Sequence, residues 1–206
     1  MREPAIAAKS GQFPDATGRT TGTITLVTGC MFSGKTTELL RLIESYPAHH
    51  VVAIKHAIDR RFADGAIVSH GGRSYPAIPL ASCDGIVSLL TGETRIVAID
   101  EAHFFGNDLL EPLKAVSHAG FDAVLAALDR SSWGEPFAII ELLRRLGVQE
   151  HHKLAVCARC GRPADRTQRL TPIVAGNLVG GAESYEPRCA ACWYPPPEPP
   201  PVTERA

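Results

Sequence analysis

A glycine-rich loop sets the strongest limit on how this chain can fold. Residues 29–36 read GCMFSGKT and fit the pattern G-x-x-x-x-G-K-[ST], between a β-prone run and a helical pattern with Leu39, Leu40, Leu42 and Ile43 on one side. The glycines allow backbone N–H groups to point at phosphate oxygens, and the positive end of the following helix adds to the attraction. We therefore predict a phosphate-binding loop made of Gly29, Cys30, Met31, Phe32, Ser33, Gly34, Lys35 and Thr36. In it Lys35 neutralises β- and γ-phosphate charge and the Thr36 hydroxyl ligates Mg²⁺.

Short apolar runs alternate with helical patterns along the middle of the chain. This alternation predicts an α/β fold, a P-loop (RecA-like) parallel sheet with flanking helices. We expect strands at 23–28, 51–55, 95–100 and 122–128, and helices at about 109–118 and 137–146 in addition to the one after the loop. Residues 57–79 have weak periodicity, and we expect a loop or a short irregular hairpin there.

Two carboxylates follow the apolar run Ile96 to Ile99, at the edge of a parallel sheet where ligands bind. Asp100 is expected to hold Mg²⁺ through water. Glu101 points to the other side of the chain and is expected to act as a general base.

Four of the six cysteines form two C-x-x-C pairs, Cys157 with Cys160 and Cys189 with Cys192, separated by 28 residues. Four thiolates leave a tetrahedral ion no open position, so we predict a structural Zn²⁺ site. Cys30 and Cys83 have no such partners and are interpreted as small buried residues.

Composition and length limit the remaining possibilities. A chain of 206 residues has room for one main domain and a small satellite. The net charge of −1 provides no basic field for nucleic acid or an anionic membrane, so neither is expected as a partner. No apolar run approaches the ~20 residues that span a bilayer, and the N-terminus lacks the apolar core of a signal peptide, which favours a cytoplasmic location.

The motifs together resemble the zinc-containing (type II) thymidine kinases of bacteria and animal cytosol, from about residue 23 to 193. The segments that carry the resemblance are TLVTGCMFSGKTTEL, IDEAHFF at 99–105, Lys55-x-x-x-Asp59-x-Arg61, AVC-x-x-C at 155–160 and GGAESY at 180–185. The resemblance implies a lasso, tethered by zinc, that folds over thymidine, a homotetramer, and feedback inhibition by thymidine triphosphate. The expected organisation is a disordered leader at 1–22, a P-loop kinase domain at 23–150, a zinc-binding lasso domain at 151–193 and a disordered Pro-rich tail at 194–206.

The resemblance also assigns roles to residues. Glu101 matches the catalytic base, and 29–36 match the ATP loop. Further nucleotide contacts are expected from Asp59, Arg60, Arg61, Asp100 and His103. Thymidine contacts are expected from Ser132, Trp133, Phe137, Gly176, Asn177, Leu178, Val179, Gly180 and Tyr185.

Three positions depart from the family pattern. His103 stands where the family usually has Gln, and it either changes a polar contact near the phosphates or is tolerated as a polar substitute. Ser132 stands where a Phe normally packs beside the thymine ring, and Trp133 follows where Arg is frequent. Loss of that ring weakens the substrate site by about 0.5–1.5 kcal/mol unless Trp133 replaces it.

The expected reaction is transfer of the γ-phosphoryl group of Mg-ATP to the 5′-hydroxyl of thymidine or deoxyuridine, giving dTMP and ADP in nucleotide salvage. Two alternatives remain at this stage. One is a zinc-ribbon P-loop ATPase or nucleic-acid-binding module, which the near-neutral charge disfavours. The other is a degenerate nucleotide-sensing relative with weak kinase activity, which Ser132 and Trp133 suggest.

Overall fold

The structure is a computed structural model that describes residues 21–59, 65–172 and 180–197. The expected leader, except for residues 21–22, and most of the expected tail lie outside these ranges. The helices of the described residues are all too short or too polar to cross a lipid bilayer.

A six-stranded parallel sheet forms the centre of the molecule. The strands of the described chain are β1 Ile24–Gly29, β2 Val51–His56, β3 Ala66–Val68, β4 Ser74–Pro76, β5 Ile78–Leu80, β6 Ile96–Asp100, β7 Asp122–Ala127, β8 Gln149–Lys153, β9 Ala155–Val156, β10 Pro163–Ala164, β11 Arg166–Arg169 and β12 Tyr185–Arg188. The sheet has the order β5-β2-β6-β7-β1-β8, and each of its pairs is parallel. All five residues of β6 are buried, as expected for a strand covered on both faces. The predicted α/β fold is confirmed.

Helices cover both faces of this sheet. They are α1 Lys35–Ile43, α2 Leu110–His118 and α3 Ala138–Arg145, with 3₁₀ helices at Ala48–His50, Val87–Leu89 and Ala102–Leu109. Leu39, Leu40 and Ile43 of α1 pack on one face with Val27 of β1. The second face packs against apolar residues of α2 and α3 together with Leu26, the neighbour of Val27. Because successive strand residues point to opposite faces, one apolar strand supplies both cores.

The sequence pattern locates the central elements but misses two edge strands. β1, β2, β6, β7 and the helices start and end within a few residues of the expected positions. The segment 66–76 forms the antiparallel hairpin β3–β4. β5, which reads IPL, is too short to show a periodic pattern, and β8, which reads QEHHK, has no apolar signal. β8 pairs with β1 and spans the expected domain boundary near 150, so the division into domains stays a prediction.

The C-terminal cysteine module consists of two small antiparallel ribbons, β9 with β10 and β11 with β12. Its core contains Ala155, Cys157, Ala164 and Cys189, and it includes Cys30 of the phosphate loop. The module therefore packs directly against the first turn after β1.

Candidate active site

The phosphate loop connects the carboxyl end of β1 to the first residue of α1. Gly34 has φ 84 and Phe32 has φ 63, both in the left-handed region. Glycine takes this conformation at little cost, whereas Phe32 bears about 1–3 kcal/mol of strain that the surrounding structure must offset. Gly29 is required for a different reason, because a Cβ there would lie 2.2 Å from the carbonyl oxygen of Lys153 in β8. The loop is therefore bent tightly against the edge of the sheet.

Lys35 lies inside this bend. Its side chain is buried, and Nζ donates to the carbonyl oxygen of Cys30 at 2.7 Å. Burial lowers the pKa of Lys35, and the charges of Glu101 and Asp100 oppose that shift. The loop thus holds the Lys35 ammonium group at the place where phosphate groups would enter.

Thr36 and Asp100 meet at the carboxyl ends of β1 and β6. The Thr36 hydroxyl donates to Asp100 Oδ1 at 3.3 Å, with Oδ2 at 3.4 Å. Burial raises the pKa of Asp100, and the nearby carboxylates of Glu101 and Asp59 raise it further. Hard oxygen ligands of this kind suit Mg²⁺, whose charge would offset the cost of keeping Asp100 ionised.

Glu101 turns sharply away from β6 towards His103. Its backbone is left-handed, with φ 52 and ψ 40, and its Oε2 lies 3.6 Å from His103 Nδ1. The same nitrogen accepts the N–H of Leu128 at 3.3 Å. His103 is buried between the rings of Phe104 and Phe137, at centroid distances of 4.2 and 4.7 Å. His103 therefore joins the end of β7 to the Glu101 turn.

These groups share one cavity of about 510 Å³. The predicted site residues that line it are Met31, Phe32, Gly34, Lys35, Thr36, Asp59, Asp100, Glu101, His103 and Gly180. A buried lysine, a hydroxyl–carboxylate pair and a second carboxylate thus face a space that can hold a nucleotide-sized ligand.

The family model described as thymidine kinase matches residues 22–193. The chain belongs to the thymidine kinase family. Membership implies ATP:thymidine phosphotransferase activity, so the protein is a kinase.

Some cavity residues of this family member are not predicted from its sequence. Val68 and His70 come from the β3–β4 hairpin, and the His70 ring lies edge-on to Phe32 at 5.5 Å. The others are Thr37, Phe104, Leu128, Gly181, Ala182 and Glu183. These six residues lie within or next to the sequence motifs, so their proximity to predicted site residues is a signal that could have identified them. His70 has no such signal, because only the folded hairpin brings it to the phosphate loop.

The predicted thymidine-binding residues lie in several places. Ser132 is buried in the turn after β7. Trp133 is half-buried in the same turn, and its backbone N–H donates to Ser131 Oγ at 3.2 Å. Phe137 packs against His103 at the start of α3. Tyr185 is buried, and its hydroxyl accepts from Arg169 NH1 at 3.0 Å. Among described residues these four do not line the cavity, and their contact with substrate stays a prediction.

Six further predicted residues lie outside the described residues: Arg60, Arg61, Gly176, Asn177, Leu178 and Val179. The remaining residues of the phosphate loop, Gly29, Cys30 and Ser33, do not line the cavity, and Cys30 and Ser33 are buried.

The four cysteines of the module converge as predicted. The sulfur atoms of Cys157, Cys160, Cys189 and Cys192 all lie within 4.8 Å of one another, and those of Cys160 and Cys189 are 3.6 Å apart. Tetrahedral zinc with Zn–S bonds of about 2.3 Å needs sulfur atoms about 3.8 Å apart. Hydrogen bonding to the sulfur atoms of Cys160 and Cys189 raises the pKa of Cys192 to about 12, whereas the hydrogen bond from Arg162 lowers the pKa of Cys160 to about 6. A cation between the four sulfur atoms would favour the thiolate form of each. The donor set therefore fits structural zinc.

Proposed function

We propose that this kinase transfers the γ-phosphoryl group of Mg-ATP to the 5′-hydroxyl of thymidine or deoxyuridine, giving dTMP and ADP for nucleotide salvage. The observation that carries the proposal is that Lys35, the Thr36–Asp100 pair and Glu101 face one cavity at the carboxyl edge of the sheet. We assign the phosphate loop, Asp59, Arg60, Arg61, Asp100 and His103 to binding of the donor nucleotide.

The residues that hold the donor nucleotide act by position and charge. Backbone N–H groups of the loop bind phosphate oxygens, and Lys35 exchanges its bond to the Cys30 carbonyl for the β- and γ-phosphates. Thr36 and Asp100 would hold Mg²⁺, which supplies neutralisation of the charge that develops on the transferred group. Because these groups are held in place before the reaction, they need little reorganisation as the barrier is crossed.

Glu101 receives the proton of the acceptor hydroxyl. As the bond between O5′ and the γ-phosphorus forms, the bond from that phosphorus to the bridging oxygen breaks, and ADP leaves with the electron pair. The proton from O5′ moves to the Glu101 carboxylate. His103 Nδ1 is already engaged by Leu128, so it does not compete for that proton.

We assign the acceptor side to the segment whose described residues 180–183 line the cavity. Gly180 lines the cavity together with residues 181–183, which supports a lasso made of Gly176, Asn177, Leu178, Val179, Gly180 and Tyr185 around the base. Such a segment excludes water, which would otherwise compete for the γ-phosphoryl group. Ser132, Trp133 and Phe137 complete the proposed thymidine site. A homotetramer and a cytoplasmic location stay predictions.

The test is ADP release from ATP with and without thymidine, at several salt concentrations. We expect turnover that depends on thymidine, with deoxyuridine as an alternative acceptor. Turnover without nucleoside, or turnover that nucleic acid stimulates with steep salt dependence, would indicate a P-loop ATPase instead. Binding of ATP and thymidine without turnover would indicate a nucleotide-sensing relative.

A further inference from the structure

Thr167 of β11 contacts the phosphate loop although it lies outside the loop motif. Its side chain is 5% exposed, and its hydroxyl accepts the backbone N–H of Met31 at 3.1 Å. Met31 directly precedes Phe32, the strained left-handed residue of the loop. The bond to Thr167 therefore fixes the direction of the Cys30–Met31 peptide group, one peptide before the strained residue Phe32.

The residue before Met31 is fixed to the same segment. Cys30 is 2% exposed, and its Sγ donates to the carbonyl oxygen of Ala164 at 3.4 Å. Cys30 also packs in one core with Cys157 and Cys189. Two successive loop residues are thus hydrogen-bonded to residues 164–167 of the cysteine module.

Thr167 is in turn tied to the second cysteine pair. Trp193 follows Cys192, and its Nε1 donates to the Thr167 carbonyl oxygen at 3.2 Å. Thr167 also pairs with Pro187 of β12, two residues before Cys189. One residue therefore connects the zinc ligands on one side with the loop amide on the other.

We propose that Thr167 is a positioning residue for the donor nucleotide, which transmits the folded state of the cysteine module to the phosphate loop. This rests on the proposed function, in which the loop binds Mg-ATP. A loop whose peptide groups are fixed before binding loses little entropy when phosphate enters, so its affinity is higher than that of a mobile loop. Loss of the hydroxyl leaves the Met31 amide without this partner and the Phe32 turn less restrained.

The experiment compares T167V, which keeps the shape of the side chain, with T167S, which keeps the hydroxyl. The matched control is T94V. Thr94 is 1% exposed, and its Oγ1 accepts the Thr91 N–H at 2.9 Å. It lies two residues before β6, at the amino ends of the strands and away from the cavity at their carboxyl ends. Mg-ATP affinity is measured by calorimetry on the full chain, with thermal midpoints and NMR hydrogen exchange of the Met31 amide. We expect T167V to weaken Mg-ATP binding roughly fivefold and T167S less than about twofold, as loss or retention of one hydrogen bond implies.

The control and the exchange rate separate this role from general destabilisation. T94V is expected to lower the thermal midpoint without changing Mg-ATP affinity, and T167V to speed exchange at Met31. Removal of zinc by a chelator is expected to speed the same exchange in the wild type. If T167V does not fold, the same measurements are made on T167A.

The outcomes distinguish the two proposals. Wild-type affinity in T167V, or equal losses in T167V and T94V, overturns the role of Thr167 and leaves the proposed function standing. Wild-type protein that binds no Mg-ATP overturns the proposed function.

Discussion

The position of the Glu101 carboxylate depends on the left-handed backbone conformation of Glu101 itself, directly after β6. With φ 52 and ψ 40, the backbone turns the carboxylate towards the cavity instead of continuing the strand. Asp-Glu after an apolar strand predicts both carboxylates from the sequence. The backbone conformation that separates their roles depends on the packing around them.

Replacement of Glu101 by Gln tests its role as the base. The amide keeps the size of the side chain but does not accept the hydroxyl proton at neutral pH, so we expect kcat to fall about a hundredfold or more. Mg-ATP affinity is expected to stay close to normal. Steady-state kinetics and calorimetry measure both, with the exposed Glu93→Gln as the control. More than about a tenth of wild-type turnover would remove Glu101 from the mechanism.

Lys35 acts on bound phosphates both before and during transfer. Lys35→Ala is therefore expected to weaken Mg-ATP binding about tenfold or more and to lower kcat as well. Unlike Glu101→Gln, it changes affinity and rate together. The same calorimetric titration checks this, and unchanged nucleotide affinity would contradict the assignment of the phosphate loop.

At the scale of elements, the edge strand β8 is held by a charged network that the sequence does not reveal. Arg144 of α3 donates through Nε and NH2 to Glu150 of β8, at 2.9 and 2.7 Å, and Thr28 of β1 donates to the same carboxylate. These bonds join α3 and β8, which are neighbours in the sequence, to β1, whose Thr28 lies 122 residues from Glu150. An apolar pattern predicts β1 and α3 but carries no information about a polar strand such as β8.

This network makes stability depend on pH in a defined direction. The Arg144 hydrogen bonds lower the pKa of Glu150, so the unfolded state binds the proton more readily. The contribution is present above the ordinary glutamate pKa and is lost as pH falls through the lowered one. We expect Glu150→Gln to cost about 1 kcal/mol at pH 7, a figure discounted for partial exposure, and less as the pH falls through the lowered pKa of Glu150. Thermal unfolding from pH 3 to 7 measures it, and an equal cost at both ends of that range would contradict the ionic origin.

At the scale of the whole molecule, the sequence predicts each part of the site but not how the parts touch. The phosphate loop, Asp100, Glu101 and the four cysteines each follow from a local motif. The contacts of Thr167 with Met31 and of His70 with Phe32 join residues that share no motif, and they depend on how the ribbons and the hairpin pack. Those contacts require the folded molecule, since no local spacing determines them.

Zinc content tests the link between the module and the rest of the molecule. We expect about one Zn²⁺ per chain, and we expect Cys157→Ser to lose zinc and lower the thermal midpoint, because a structural metal contributes folding energy directly. Cys83→Ser is the matched control, since Cys83 is also buried but lies outside the cluster. Because Cys30 packs in the core of the module, Cys157→Ser is also expected to weaken Mg-ATP binding, whereas Cys83→Ser leaves zinc content and affinity unchanged. Elemental analysis measures the zinc content, and calorimetry measures the Mg-ATP affinity. A zinc-free wild type purified without chelators would contradict the metal assignment.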